Sequence, residues 1–466
     1  MAIALIIGAL FWSACDLPAE ERPAEQDLPS ISNTVSDDGS PVDVDGSETT
    51  SQAAVPAGQT DDGEAHHRFR PEVVTAHNQL GYRLLAQLVE KAVSGSNAAK
   101  GNGPGNVVLS PISVALALSL AQNGAAGETA VEMAQAMQLA ALWQDGAIPE
   151  ADGISKVLNT SNLALINALA EAAASGDIRL KVANALWYRE QLGLLDSFKD
   201  ASETFYQAQV LGLDFSAPES VERINAWANE ATEGLIPRVV DELPDDLAAL
   251  IANAVYFQGD WQTPFDPSLT QLLPFHLPSG ERPEVPIMYR SGSFQYYEGQ
   301  FQAVRLPYGP SGRVAMYVFL PPPGETIDAF ASRFDEVAAE SFGRFRSAEG
   351  EVWLPRLDVS FKSSLREPLQ NLGMQIAFDP RAADFSRMIA GSGPGDFFIG
   401  EVLHQAVLKL DETGTEAAAV TSIEVRLTSA PAWRFSFRAD RPFLLALRDD
   451  ETGALLFIGA VVDPRS

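Results

Sequence analysis

The chain has 466 residues, 46% of them hydrophobic, so it can bury a large core and is not wholly disordered. Its 62 acidic and 32 basic residues give a formal net charge of -30 at pH 7. That charge repels nucleic acid, which we do not expect as a partner. The single cysteine, Cys15, excludes an intrachain disulfide and a Cys-based metal site, and we expect no metal and no other cofactor.

Residues 1–15 are predicted to be a signal or lipoprotein-like segment. Residues 1–14 form an apolar run, shorter than the roughly 20 residues that span a bilayer, and small residues precede Cys15. Ser13-Ala14-Cys15 resembles the end of a bacterial lipoprotein signal, in which the cysteine is acylated, although Trp12 replaces the usual Leu and no basic residue comes first. We therefore expect a bacterial protein that is extracellular or periplasmic, and membrane-anchored if Cys15 is acylated. The alternative is an ordinary signal with an incidental cysteine.

Residues 16–69 are predicted to be a disordered acidic tether. Between residues 16 and 64 there are 13 acidic residues and one basic residue, Arg22, with many Pro, Ser, Gly and Thr. Such a composition cannot bury enough apolar surface to offset the entropy of ordering. The segment could act as a spacer or as a solubilising tail.

Residues 70–466 are predicted to form one α+β domain that begins with helices. Apolar residues recur at helical spacing in the first of them (Leu80, Leu84, Leu85, Leu88 and Val89). Ser110-Pro111 followed by the apolar residues 112–121 is typical of a helix start and a buried helix. Helices followed by many strands favour an α+β fold over repeated βαβ units.

Several apolar or alternating stretches bounded by turn residues predict strands (residues 182–188, 250–257, 314–320 and 402–410). Residues 443–462 predict a hairpin whose turn lies at 449–453. The chain has no G-x-S-x-G and no H-E-x-x-H motif, so nothing in it favours an enzyme.

Residues 412–429 have the alternation of a strand with one buried face. In an extended conformation one face carries only uncharged side chains (Thr415, Ala417, Ala419, Thr421, Ile423, Val425 and Leu427). The other face is mostly small or polar, as on the solvated side of an antiparallel sheet. On these residues alone, an ordinary strand is a sufficient interpretation.

The same segment resembles the hinge of inhibitory serpins, in which small residues lead from sheet A into an exposed reactive-centre loop. The hinge residues are Glu412, Gly414, Thr415, Glu416, Ala417, Ala418, Ala419, Val420 and Thr421. Other stretches of residues 70–466 resemble serpin motifs in the family's order (residues 106–113, 224–236, 253–261, 437–447 and 456–464). We therefore identify the domain as a member of the serpin family.

The resemblance implies three β-sheets, about nine α-helices and an exposed loop. It also implies a monomeric, irreversible inhibitor that forms a covalent acyl complex with a serine protease when its cleaved loop inserts into sheet A. A non-inhibitory serpin that acts as a binding or chaperone-like module is the alternative. Such members generally carry bulky, charged or proline residues in the hinge, and this hinge has none of the kind on its inward face.

The resemblance places the reactive bond at Thr428-Ser429, because Thr428 is the fourteenth residue after Gly414. A small β-branched residue before the cut suits an elastase-like or subtilisin-like protease. Arg426 is the alternative reactive residue and would direct the loop to trypsin-like enzymes.

The resemblance also implies positions that control the opening of sheet A. Ser110, Ser113, Asn253 and His404 match the polar cluster beneath the opening. Trp261 matches a tryptophan at the upper end of the sheet, and Arg356 with Glu412 matches an ion pair there. A buried histidine, a core tryptophan and two solvated charges are the simpler interpretations of the same residues.

Overall fold

The computed structural model describes residues 2–10, 69–94, 105–143, 148–174, 178–415 and 434–465. The chain divides into one compact unit of residues 1–13 and 66–466 and a second unit of residues 14–65. The second unit, which includes Cys15 and most of the predicted tether, lies outside the described residues. The acylation of Cys15 and the disordered tether therefore remain predictions. None of the described helices is long and apolar enough to cross a membrane.

The described residues contain nine α-helices, most of them in the first half of the chain. They are α1 (Pro71–Ser94), α2 (Pro111–Gln122), α3 (Gly127–Ala136), α4 (Ala151–Ala174), α5 (Asp196–Tyr206), α6 (Pro218–Ala231), α7 (Ile327–Ser332), α8 (Phe334–Ser341) and α9 (Arg366–Asn371). The helical spacing predicted for α1 is confirmed, because its Leu80, Leu84 and Leu88 are buried.

The same residues contain sixteen strands. They are β1 (Ala2–Leu10), β2 (Val107–Leu109), β3 (Ile178–Arg189), β4 (Gln209–Leu213), β5 (Leu247–Asp260), β6 (Gln271–Pro274), β7 (Glu284–Glu298), β8 (Gln302–Pro307), β9 (Val314–Leu320), β10 (Arg346–Pro355), β11 (Leu357–Ser364), β12 (Phe398–Leu410), β13 (Gly414–Thr415), β14 (Phe435–Arg438), β15 (Phe443–Asp449) and β16 (Leu455–Val461). All four predicted strand regions and the predicted C-terminal hairpin are confirmed by β3, β5, β9, β12 and the pair β15–β16.

We name the first sheet, with strand order β11-β12-β1-β5-β3-β4, sheet A. The long strands β5 and β12 lie at its centre, and β1 lies between them and pairs with both in the parallel direction. Strand β13 adds to β5 in the antiparallel direction. Residues 2–10 of the segment predicted as a signal thus form the strand between β5 and β12.

The remaining nine strands form one continuous hydrogen-bonded sheet, which can be divided at β7 into the other two of the three expected sheets. One contains β14, β10, β7 and β6, and the other contains β7, β8, β9, β15, β16 and β2. Strand β7 belongs to both, so hydrogen bonds link them without a break. The α+β class is confirmed.

Helix α2 lies beneath sheet A and contacts β1, β5 and β16. All its residues are buried, which explains why its sequence is apolar throughout rather than on one face. Ser110 caps its first turn, since the Ser110 Oγ accepts a hydrogen bond from the backbone N–H of Ser113 at 3.3 Å, and Pro111 occupies the first helical position. The predicted helix start is therefore confirmed.

Candidate functional site at the hinge of sheet A

The chain leaves β12 at Leu410 and turns back onto β5 within four residues. The Asp411 carboxylate accepts hydrogen bonds from the backbone N–H of Thr413 at 2.8 Å and of Gly414 at 3.2 Å. The Asp411 N–H donates to the Gly414 carbonyl at 3.0 Å. An aspartate that bonds the backbone two residues on is a common way to build a tight turn. It directs the following residues into sheet A, next to β5.

Gly414 is required by the closeness of β5. Its φ of +152° is one that residues with a side chain rarely adopt, and a Cβ at this position would lie 2.2 Å from the Gly259 carbonyl oxygen. The two residues of β13 can pair with Asp260 and Gly259 only because position 414 has no side chain.

Thr415 is the last described residue of the hinge, and it is fully buried. Its Oγ1 and the Tyr308 hydroxyl are 2.7 Å apart and share a hydrogen bond. Burial raises the pKa of Tyr308, so the phenol stays neutral in this bond. Thr415, the first residue of the predicted inward face, therefore already lies in the sheet, and its hydroxyl group has a hydrogen-bond partner.

Trp261 closes the hinge from the β5 side. Its indole N–H donates to the Asp411 carbonyl at 2.9 Å, and its backbone N–H donates to the Thr413 carbonyl at 2.8 Å. Its ring stacks on Tyr308 with centroids 4.4 Å apart. Trp261 is both a core residue and a direct contact of the turn.

Glu412 and Arg356 form the ion pair that the sequence predicts. The Arg356 Nε donates to both Glu412 carboxylate oxygens at 2.8 and 2.9 Å, and the Thr270 hydroxyl donates to the same carboxylate. Burial acts to raise the pKa of Glu412, but these hydrogen bonds outweigh it and hold the pKa below its usual value. The Glu412 side chain is 5% exposed, whereas that of Arg356 is 46% exposed, so the carboxylate depends on its partners more than the guanidinium does.

The four residues of the predicted polar cluster are buried but do not all meet. Ser110 and Ser113 are joined at the start of α2. The Asn253 Nδ2 donates to the Asn184 Oδ1 at 2.6 Å, and not to His404. Asn253 on β5 and His404 on β12 are both in register with Ile7 of β1, so one strand separates them.

Three of these buried side chains, those of Ser113, Asn253 and His404, keep unused hydrogen-bonding capacity. Within the described part of the chain, no atom forms a hydrogen bond of normal geometry with the Ser113 Oγ, the Asn253 Oδ1 or either ring nitrogen of His404. Burial lowers the pKa of His404 to about 4, opposed only in part by the nearby Val108 backbone. The imidazole is therefore neutral at pH 7 and able to bond if a partner approaches.

Sequence reasoning missed the residues that support these positions. Tyr308 and Thr270 hold Thr415 and Glu412, and the Asn184 Nδ2 continues the Asn253 bond to the Tyr206 carbonyl at 2.6 Å. The one available signal was asparagine within otherwise apolar strands, at positions 184 and 253. The remaining predicted site residues, from Glu416 to Thr421 with Arg426, Thr428 and Ser429, lie outside the described residues.

Sequence comparisons agree with this arrangement. The family model described as "Serpin (serine protease inhibitor)" matches residues 75–464. Serpin-Z10 of Arabidopsis thaliana is 32% identical over 409 residues, which cover 83% of this chain and 97% of that protein. A protein named "Serine protease inhibitor" from Cyanea capillata is 32% identical over 372 residues, covering 77% and 92% of the two chains.

Solved structures agree on the fold. The native structure of tengpin, a thermophilic serpin, superposes with a TM-score of 0.70 at 23% identity, covering 88% of this chain and 97% of the other. Mouse protein-Z dependent protease inhibitor gives a TM-score of 0.69 at 23% identity, covering 86% and 100%. At this identity the likeness concerns the fold alone.

The helices, the three sheets and the buried hinge define a protein built around one central sheet that receives part of its own loop. The chain belongs to the serpin family, and it is accordingly an inhibitor rather than an enzyme. The predicted fold and family are confirmed. The expectation of a bacterial source gains no support, since the curated relatives named here come from Arabidopsis thaliana and Cyanea capillata.

Proposed function

We propose that the protein irreversibly inhibits serine-type endopeptidases of elastase-like or subtilisin-like specificity. The observation that carries the proposal is the antiparallel pairing of Gly414 and Thr415 with Asp260 and Gly259 of β5. This pairing fixes both the direction and the register in which the loop would continue into sheet A. No further turn is needed for the chain to extend along β5.

The register can be followed down the sheet. If the pairing of Thr415 with Gly259 continues, Ala418 falls opposite Tyr256 and Leu427 falls opposite Leu247, the first residue of β5. Thr428 would then lie just beyond the strand. Cleavage at Thr428-Ser429 would release the loop residues 416–428, which we call the arm. The length of β5 thus matches the length of the arm.

The energy available from insertion is large. About a dozen residues beyond Thr415 would each gain about one net hydrogen bond, at roughly 0.5 to 1.5 kcal/mol each, or on the order of ten kcal/mol in all. That is comparable with the whole stability of a typical domain, about 5 to 15 kcal/mol. Insertion would also carry the attached protease about 40 Å along the sheet at about 3.3 Å per residue.

The chemistry needs only the protease's own first half-reaction. The protease serine attacks the Thr428 carbonyl, an ester forms, and the Ser429 amine leaves with the proton that the protease's general acid supplies. For a stable complex to form, insertion of the loop must then be faster than hydrolysis of the ester. The inhibitor therefore contributes no catalytic group to this reaction, only a segment that can insert into sheet A.

The test is incubation with pancreatic elastase, subtilisin and trypsin, followed by denaturing electrophoresis and mass mapping of the cleaved loop. The full chain and a chain beginning at Cys15 are assayed side by side. A band that survives SDS at the summed mass, with a cut after Thr428, supports both the inhibition and the reactive bond. A complex with trypsin and a cut after Arg426 would move the reactive bond by two residues.

A matched control is Thr428→Arg. It should shift complex formation from elastase to trypsin without changing the hinge, because only the residue before the cut is altered. Cleavage by every protease without a stable complex, in both forms of the chain, would contradict the inhibitory proposal and favour the non-inhibitory binding or chaperone-like module.

We also infer export, with attachment to a membrane through an acylated Cys15 and the acidic segment as a spacer. The support is the sequence of residues 1–15 and the composition of residues 16–64. Detergent-phase partition of the expressed chain tests it, with Cys15→Ser as the control. Equal partition of the two would leave an ordinary signal as the better interpretation.

A further inference from the structure

The strand β1 lies where an inserting loop would have to lie. It pairs with β12 from Phe398 to Ala406 and with β5 from Leu247 to Tyr256, in the parallel direction on both sides. The strands β5 and β12 are the same two that flank the hinge. Sheet A therefore has its central position filled by residues 2–10 of its own chain.

The two registers on β5 overlap. Continuing the β13 register, residues Ala418 to Leu427 would fall opposite the stretch of β5 from Tyr256 to Leu247, and β1 pairs with that whole stretch. Between Leu10, opposite Tyr256, and Thr415, opposite Gly259, only the positions of two residues are free. With β1 in place the arm can enter no further than Ala417.

We infer that residues 2–10 are an internal blocking strand that keeps the chain from inhibiting until they leave sheet A. The effect on inhibition rests on the proposed function, whereas the placement of β1 in sheet A does not. With the strand in place, a protease would cut the loop and be released by hydrolysis. Removal of residues 1–14, as the predicted cleavage before Cys15 would achieve, frees the position for the arm.

The sequence of β1 suits a temporary central strand. Residues 2–10, Ala-Ile-Ala-Leu-Ile-Ile-Gly-Ala-Leu, carry no charge, which is the composition typical of strands inside a parallel sheet. Parallel pairing is slightly less stable per residue than the antiparallel pairing that the arm would make. The 58 residues between Leu10 and Phe69 could span well over 100 Å at about 3.3 Å each, so the connection does not prevent the segment from reaching or leaving the sheet.

The experiment compares the full chain with its Ile6→Pro and Ile6→Val variants. Ile6 pairs with Leu403 and Ala252 in the middle of the strand. Proline removes a backbone donor and is not tolerated in a central strand, whereas valine keeps both the donor and the β-branched side chain. A chain beginning at Cys15 serves as a second variant that lacks the strand altogether.

The first readout is hydrogen exchange of residues 247–256 and 398–406, followed by mass spectrometry. It does not depend on any protease. Exchange there should be at least about tenfold faster in Ile6→Pro and in the shortened chain than in the full chain, with Ile6→Val unchanged. Equal exchange in all four proteins would overturn the inference, whatever the inhibition assay gives.

The second readout is the ratio of covalent complex to cleaved inhibitor with elastase or subtilisin. That ratio should rise at least about tenfold from the full chain to Ile6→Pro and the shortened chain. Equal complex formation by all forms overturns the blocking role and leaves the proposed inhibition standing. No complex from any form, together with faster exchange in the variants, contradicts the proposed inhibition and supports the placement of β1.

Discussion

Substitution of Thr415 by arginine tests whether the loop must enter sheet A. Thr415 is fully buried, and its hydroxyl shares a hydrogen bond with Tyr308. An arginine here would have to bring an unpaired guanidinium into the sheet and would leave the Tyr308 hydroxyl without its partner. We expect Thr415→Arg to be cleaved as a substrate without forming a stable complex.

The magnitude follows from burial. An uncompensated buried charge costs about 3–5 kcal/mol, and the lost hydrogen bond adds about 1 kcal/mol. If this cost, about 4–6 kcal/mol in all, falls on the first step of insertion, entry slows by about 10³- to 10⁴-fold, because about 1.4 kcal/mol is tenfold in rate. Hydrolysis of the acyl ester would then win the competition.

The assay measures the ratio of SDS-stable complex to cleaved inhibitor in the chain that begins at Cys15. Thr415→Ser is the matched control, because it keeps a hydroxyl for Tyr308 in a smaller side chain, and it should retain most of the complex. A Thr415→Arg variant that forms as much complex as the unmodified chain would refute insertion through this hinge.

Three further predictions concern the hinge and the sheet beneath it. Glu412→Gln should lower the free energy of unfolding by about 1–2 kcal/mol, because Arg356 loses a charged partner. The control is Glu367→Gln at an exposed ion pair, which should change the free energy of unfolding by about 0–1 kcal/mol. Equal effects of the two substitutions in a urea titration would contradict the role of burial. Gly414→Ala should detach β13 from β5, so limited proteolysis after residue 415 should speed up; unchanged digestion would mean that the backbone accommodates the new Cβ. The folded-state pKa of His404, about 4, lies below the ordinary value of 6.5. Its contribution to stability is therefore complete above about pH 6.5 and falls by on the order of 3 kcal/mol as the pH drops to about 4. His404→Gln should remove that part of the pH dependence in urea titrations, and an unchanged slope would locate the titration elsewhere.

Much of the fold could be predicted because local pattern and final burial agree. The apolar residues 112–121 lie in a helix that is buried on every side, and the run of residues 250–257 is covered on both faces of sheet A. The strand alternation of the hinge and the family's order of motifs gave the site its position along the chain. These features depend on residues close together in sequence, which is why they could be found without coordinates.

The supporting contacts could not be predicted, because they join distant parts of the chain. Tyr308 meets Thr415 across 107 positions, and Thr270 meets Glu412 across 142. The apolar composition of residues 2–10 suggested a signal segment, and their place as a strand could be found only from the pairing with β5 and β12. Length alone argued against a bilayer-spanning helix and said nothing about a strand.

The separation of Asn253 from His404 has a consequence for sheet A without its middle strand. While β1 lies between them, the two residues are two strand spacings apart, roughly 9.5 Å, and each keeps a polar atom that has no partner among the described residues. If β5 and β12 closed to a single spacing of about 4.8 Å, the Asn253 Oδ1 and the His404 ring could satisfy each other. Such a contact at this level alone would join β5 and β12 through one side-chain hydrogen bond and would leave the backbone groups above and below it unpaired. The inserting arm would then have to break the hydrogen bond between Asn253 and His404 before it could form backbone hydrogen bonds with β5 and β12 at this level.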